Sequence, residues 1–179
     1  METLEAIKTR RSIRQYQDEA ISDDILKELL EAGMSGPTGG NNKPWQFIII
    51  NDPEILREIP NAPSGAPFAP DAPLAILVCG DLEKYPGLPE KYLDVWVIDC
   101  SIAAQNILLA AHGKGLGAVW TGVYPMEERV DGMRELLKLP KNIIPLVLIV
   151  IGYPAEQLPV EDRYDASRVH YNTFEIENK

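Results

Sequence analysis

The chain opens with Leu4 and Ile7 at helical spacing among polar neighbours, which predicts a helix over residues 2–9. Ser22 followed by Asp23 and Asp24 is an N-cap signal. Behind it Ile25, Leu26, Leu29 and Leu30 form one apolar stripe, so a second helix starts there, with Gly33 as its predicted stop. Residues 37–44 are dense in Gly, Asn and Pro and read as a loop. They lead into 45–50, Trp-Gln-Phe-Ile-Ile-Ile, which is short, apolar and β-branched, as a buried strand requires. Asn51-Asp52-Pro53 then caps a short helix to about Ile59. Pro60, Pro63, Pro67, Pro70 and Pro73 deny the following segment a regular hydrogen-bond ladder, predicting an extended, lid-like connector that does not pack.

Residues 74–80 read as a second strand. Residues 92–112 form a long helix with Val95, Trp96, Ile98, Ile102, Ala103, Ile107 and Leu109 on nearly every face, a pattern that predicts burial. A third strand follows at 116–123, an amphipathic helix at 126–139 and a fourth strand at 143–152. From residue 153 to 179 the pattern fades into a polar tail with isolated aromatics, Tyr164, Tyr171 and Phe174, and a tail this long needs a surface to lie on. The alternation predicts layered helices and strands. No repeat and no second boundary is visible, so residues 1–179 are expected to form one domain with 153–179 as its tail.

With 179 residues, 45% apolar and 25% charged, the chain can bury a sizeable core without disulfides. The apolar run at 143–151 is interrupted by Pro145 and falls short of the roughly 18 to 20 residues that cross a bilayer, so no membrane partner is expected. The start, Met-Glu-Thr-Leu-Glu, has no secretory pattern, which points to a cytoplasmic address. Two cysteines, Cys79 and Cys100, and two histidines, His112 and His170, cannot assemble metal-ligand spacing, and no metal is expected. The thiols read as core residues and His112 as a cap at the end of the long helix. The net charge of −10 gives nucleic acid little to bind, and any anion site must be local.

One such place is Lys8-Thr-Arg10-Arg11-Ser12-Ile-Arg14, with four of the 17 basic residues in seven positions. Guanidinium groups grip phosphate through paired, charge-assisted hydrogen bonds, and Ser12 adds a hydroxyl; alone, the cluster also fits a solvated turn at a helix end. Gly36-Pro-Thr-Gly-Gly-Asn41 lets backbone amides approach a flat ligand, with Thr38 and Asn41 as polar contacts, or is a plain helix-to-strand turn. The Gly113-Lys-Gly115-Leu-Gly117 turn runs from helix to strand and lacks the third glycine of a dinucleotide fingerprint. It suits a tight turn and close packing, leaving the strand end at Trp120 to Gly122 to face a ligand. No GxSxG elbow occurs. Asp99, Gln105 and Asn106 on the apolar helix require partners.

Together these pieces resemble the FMN-dependent nitroreductase family over almost the whole chain. Arg10-Arg11-Ser12-Ile-Arg14-Gln-Tyr is similar to the family's RRSxRxF/Y element, and Pro37-Thr38-Gly39-Gly40-Asn41-Asn42-Lys43-Pro44-Trp45 to its PSxGNxQPW loop. Thr38 replaces Ser with the hydroxyl kept, and Lys43 replaces Gln. Asp99 to Asn106, Gly115-Leu-Gly117, Trp120-Thr-Gly122, Gly152-Tyr-Pro and Arg163 follow in the family's order.

The resemblance implies an α+β, nitroreductase-like fold with a mixed, largely antiparallel sheet flanked by helices, a long buried central helix, and a C-terminal tail exchanged with the partner subunit. It implies an intertwined homodimer with FMN at the interface. Arg10, Arg11, Ser12 and Arg14 are then expected to hold the phosphate and the ribityl or ring edge, with Arg163 closing from the tail. Pro37, Thr38, Gly39 and Asn41 are expected from the partner chain, and Trp120, Thr121 and Gly122 along the flavin ring. The implied activity is reduction of nitroaromatic, quinone or related acceptors by NAD(P)H, in a ping-pong exchange through flavin N5. No protein group is catalytic in its own right, because the flavin carries the chemistry. The alternative is a flavin-holding protein with little turnover. Residues 60–73 and the stretch from Tyr85 to Tyr92 are expected to shape the cleft.

Overall fold

The computed structural model describes residues 1–62, 64–86 and 94–174. Four strands, β1 (Trp45–Ile50), β2 (Leu74–Asp81), β3 (Gly117–Gly122) and β4 (Ile143–Gly152), form one sheet in the order β1-β2-β4-β3. Every neighbouring pair is antiparallel, and the parallel element is a single bridge between Ser12 and Ala118. β2 and β4 lie in the middle, and their apolar residues, Leu74 to Cys79 and Leu146 to Ile151, are buried on both faces. Pro145, which has no N–H to donate, sits opposite Cys79 where the β2–β4 register shifts, so a central strand tolerates it at an irregularity. The β1 and β3 edges remain at the two sides of the sheet.

Among the described residues five helices cover the sheet: α1 (Thr3–Thr9), α2 (Asp23–Met34), α3 (Pro53–Glu58), α4 (Val95–Gly113) and α5 (Glu127–Leu137). Ser22 caps α2 as its sequence predicts, accepting from the Ile25 N–H at 3.3 Å, and Asp52 caps α3 through the Glu54 N–H at 2.8 Å. Gly33 does not stop α2, which runs one residue further. It lies inside the helix, where a Cβ would meet Ile107 Cγ1 at 3.0 Å, so the missing side chain lets α2 and α4 approach closely.

α4 packs Trp96, Cys100, Ala104, Ile107 and Ala111 into the core on one face of the sheet. It is long and apolar enough to cross a membrane by length and composition, and this packing accounts for that character. Its outer side behaves differently: Ile98 is 61% exposed and Gln105 is exposed in the single chain. Tyr92, at the start of the expected helix, lies outside the described residues.

The 60–73 segment is the clearest departure from its sequence pattern. Its prolines do prevent a ladder, yet the segment packs. Short 3-10 turns at Ile59–Asn61 and Ala69–Asp71 bury Ala62, Ala66, Ala69 and Ala72 against the second face of the sheet, beside Val119, Met133 and Leu148. α5 presses on it closely enough that a Cβ on Gly132 would lie 2.7 Å from the Ala62 carbonyl oxygen. Pro63 is outside the described residues.

Candidate functional site

The arginine segment is laid along the start of β3. The Ile13 N–H donates to the Ala118 carbonyl at 3.2 Å, and Ile13 is buried over Gly117, where a Cβ would come within 2.6 Å of Ile13 Cγ2. Gly115, at φ 80°, makes the turn that brings β3 there from α4, as expected. Arg10 and Arg11 are half-buried. The Nη1 atom of each is screened from solvent and has no hydrogen-bond partner among the described residues.

Arg11 Nη2 donates to Glu161 Oε1 at 2.9 Å, and Arg163 Nη2 donates to Glu161 Oε2 at 3.3 Å, so the tail returns to the cluster. Burial, and then the charges of Arg163 and Arg11, lower the pKa of Arg10. The hydrogen bond from Arg11 in turn holds the Glu161 carboxyl below its ordinary range. Arg11 and Arg163 thus share one carboxylate, and Arg10 lies within reach of both their charges. Leaving a buried donor unpaired costs about 1 to 3 kcal/mol, so this arrangement is shaped for an acceptor that the chain does not supply.

Ser12 sits on the β3 bridge, with its carbonyl accepting from Arg14 Nη1 at 3.3 Å. Arg14 turns away from the other three. Its guanidinium lies 5.8 Å from the centre of the Phe68 ring, and with Tyr16, Arg57 and Asp71 it lines a cavity of about 780 Å³.

Trp120, Thr121 and Gly122 end the edge strand. Trp120 is 38% exposed and Thr121 is buried. Because Ala118 turns its carbonyl outward to Ile13 while Val123 donates inward to Leu146, the two-residue alternation sends the backbone groups of Trp120 and Gly122 to the free edge. The Gly122 carbonyl accepts there from Arg129 Nη1 at 2.7 Å.

The Pro37 to Asn41 loop stands elsewhere. The Gly39 N–H points between the two oxygens of Asp99, 3.0 Å from each, and Asp99 Oδ2 also accepts from the Tyr85 hydroxyl at 2.6 Å. Thr38 Oγ1 accepts from the Lys43 N–H at 3.1 Å, Gly40 and Asn41 take left-handed backbone, and Pro37 is exposed. Asp99 is only 3% exposed. Burial and the Asp99 carboxylate push the Tyr85 phenol well above its ordinary pKa, which keeps its proton on the donor side.

The polar residues of α4 therefore find separate partners: Asp99 takes the loop, Asn106 Nδ2 donates to the Ala32 carbonyl at 3.0 Å, and Gln105 faces outward. His112 is no helix cap; its Nε2 meets Thr9 Oγ1 at 2.8 Å, joining α1 to α4. Cys79 and Cys100 are buried free thiols, with Cys79 pushed up to about 12 by burial. Asp99 and His112 are 13 residues apart on α4, so the loop and the arginine cluster stand at opposite ends of the helix, ~20 Å apart along its axis.

Arg129, Glu161 and the Tyr85 contact were missed by sequence reasoning. Arg129 lies on an amphipathic helix, where a charge reads as solvated. The signal that points to it is Gly65 in another segment, visible only in three dimensions.

An antiparallel sheet covered by helices, with a guanidinium cluster beside a free strand edge, defines an α+β protein with three arginines gathered at the side of its sheet. Residues 7–153 match the model of the "Nitroreductase family", and the chain belongs to that family. It is 50% identical over 172 residues to a Methanothermobacter thermautotrophicus protein named "Putative NADH dehydrogenase/NAD(P)H nitroreductase", covering 95% of this chain and 86% of that one. A crystal structure of the same description from Parabacteroides distasonis superposes with a TM-score of 0.89 at 38% identity, covering 96% of this chain and 98% of the other. An FMN-dependent nitroreductase from Clostridium difficile gives a TM-score of 0.86 at 33% identity, covering 96% and 99%.

Proposed function

We propose that this chain is an FMN-dependent oxidoreductase that uses NAD(P)H to reduce nitroaromatic, quinone or related acceptors, and that it works as a homodimer. One observation carries the reading: Arg10 and Arg11 hold screened, unpartnered Nη1 groups beside Arg163 in a chain of net charge −10. That donor set fits a phosphate monoester, which accepts several charge-assisted hydrogen bonds at once. The names of the relatives point the same way, to nitroreductases using NAD(P)H and FMN.

Arg10, Arg11 and Arg163 would hold the phosphate. Ser12 would reach the ribityl chain, Arg14 would have to turn back from Phe68 to reach the ring edge, and Trp120, Thr121 and Gly122 would border the ring, with edge N–H groups as donors. Pro37, Thr38, Gly39 and Asn41 sit at the far end of α4 from the cradle, so they would serve the site of a second copy. The exposed Leu4, Ile7 and Ile98 offer that copy an apolar surface, and the free β1 edge with the exposed Tyr164, Tyr171 and Phe174 fits exchange of the tail. When bound, FMN would supply the hydride-accepting and electron-donating chemistry of a ping-pong exchange between NAD(P)H and the acceptor. The protein groups bind, orient and hold positive charge near the ring; none is asked to act as a nucleophile.

The test is titration of cofactor-free protein with FMN and riboflavin, followed by anaerobic mixing with NADH and NADPH. FMN is expected to bind at least about a hundredfold tighter than riboflavin, the effect of two charge-assisted contacts at about 1.5 to 3 kcal/mol each. Bound FMN is expected to bleach on mixing. Equal affinities would remove the phosphate assignment, and FMN that stays yellow would make the protein a flavin carrier.

A further inference from the structure

We infer that Arg129 is a positioning residue for the reactive edge of the flavin: a fixed guanidinium that braces the Gly122 end of β3 and makes the bound flavin easier to reduce. The inference rests on the FMN reading above and goes beyond it, because Arg129 belongs to none of the motifs that suggested that reading.

Arg129 stands in the first turn of α5, and its Nη1 donates to the Gly122 carbonyl at 2.7 Å. That carbonyl lies on the outward edge of β3, so the guanidinium itself lies on the edge that would border the ring. Two features hold it there. Gly65 has φ 71°, and a Cβ on it would come within 2.7 to 2.8 Å of Arg129 Nη2, Cζ and Nη1, so the guanidinium rests against bare backbone of the 60–73 segment. One turn further along α5, a Cβ on Gly132 would be 2.7 Å from the Ala62 carbonyl oxygen. Residues 129 and 132 of α5 therefore lie against residues 65 and 62 of the packed segment, with the Gly122 carbonyl holding the guanidinium from the strand side.

The second observation is electrostatic. Among the described residues the ion pairs involve Arg11, Arg163, Arg168, Lys27 and Lys114, and none involves Arg129. A half-buried cation whose partner is a carbonyl and not a carboxylate is weakly screened. Reduction places negative charge on the flavin ring, and a nearby fixed cation favours that state. Arg14, over Phe68, acts from a different segment, so the two contributions are separable.

The test is the two-electron midpoint potential of the FMN-loaded protein, measured anaerobically against a reference dye, with FMN affinity measured alongside. Arg129→Met, which keeps bulk and removes charge, should shift the potential negative by the equivalent of about tenfold or more in the reduction equilibrium. Its FMN affinity should change by less than about threefold, since the phosphate cradle is untouched. Arg129→Lys should retain most of the potential, and it carries the test if the Met variant does not fold. A Met variant at the wild-type potential, or a Lys variant as negative as Met, overturns the assignment. Wild-type protein that takes up no FMN contradicts the FMN reading itself, which distinguishes the two failures.

Discussion

The two ends of α4 carry opposite kinds of polar architecture. At its C-terminal end, Arg11 and Arg163 share one carboxylate with Arg10 beside them, and the buried Nη1 atoms of Arg10 and Arg11 lack acceptors among the described residues. At its N-terminal end, the Asp99 carboxylate is fully enclosed and satisfied by the Gly39 N–H and the Tyr85 hydroxyl. The first arrangement is electrostatically costly to the folded chain and gains a partner only from outside. The second stabilises the chain and fixes a loop. The difference separates residues that leave donors open from residues arranged to hold other residues still, although both groups pack beside the same helix.

The largest effect expected from breaking this contrast is at the arginine end. Arg10→Ala combined with Arg11→Ala should weaken FMN binding by about a hundredfold or more, from two lost contacts of about 1.5 to 3 kcal/mol. The melting temperature of the cofactor-free protein should hold or rise, since unpaired buried donors have been removed. Fluorescence titration and calorimetry read the two quantities. The opposite profile is expected at the other end. Tyr85→Phe leaves Asp99 short of one donor and should destabilise the fold by about 1 to 3 kcal/mol in urea unfolding. Its FMN affinity should fall far less than in the arginine variant.

The smallest expected effect is a pH dependence. Burial first, and then the Arg10 charge, lower the pKa of His112, with Glu5 opposing. A histidine whose folded pKa lies below its unfolded value of about 6.5 is protonated first in the unfolded chain. Its contribution to stability is therefore complete above that value and is lost as the pH falls toward the lowered one. Between pH 7.5 and 5.5, wild-type protein should lose more stability than His112→Gln, measured by urea unfolding at each pH.

How much of this was legible in the sequence follows from which residue types carry a pattern. The strands were readable because β-branched runs end at Pro, Gly or Asn: 45–50 and 143–152 have the same bounds in sequence and structure. The arginine cluster was readable because basic residues are scarce in an acidic chain. The packing of 60–73 was not, because its buried positions are Ala62, Ala66, Ala69 and Ala72, too small to register as core while prolines dominate the signal. Gly33 misled because a glycine near a helix end reads as a stop, whereas here its role is set by Ile107 in a helix far along the chain. The roles of Asp99 and Arg129 are defined by contacts with Gly39 and with Gly65 and Gly122, which no local window contains.

The central claim is that cradle and loop, at opposite ends of α4, complete one site only when contributed by different copies. A mixed dimer tests it most directly. One chain carries Arg10→Ala and Arg11→Ala; the other carries Gly39→Val, whose side chain would crowd Val95 and displace the loop. At FMN concentrations that saturate the wild type but lie below the weakened affinities of the parents, each parent dimer should hold almost no FMN, while the mixed dimer should hold one FMN for two chains, in the site built from the intact cradle of one and the intact loop of the other. A mixed dimer as empty as its parents, or a protein that sediments as a single chain with FMN bound, would contradict the account.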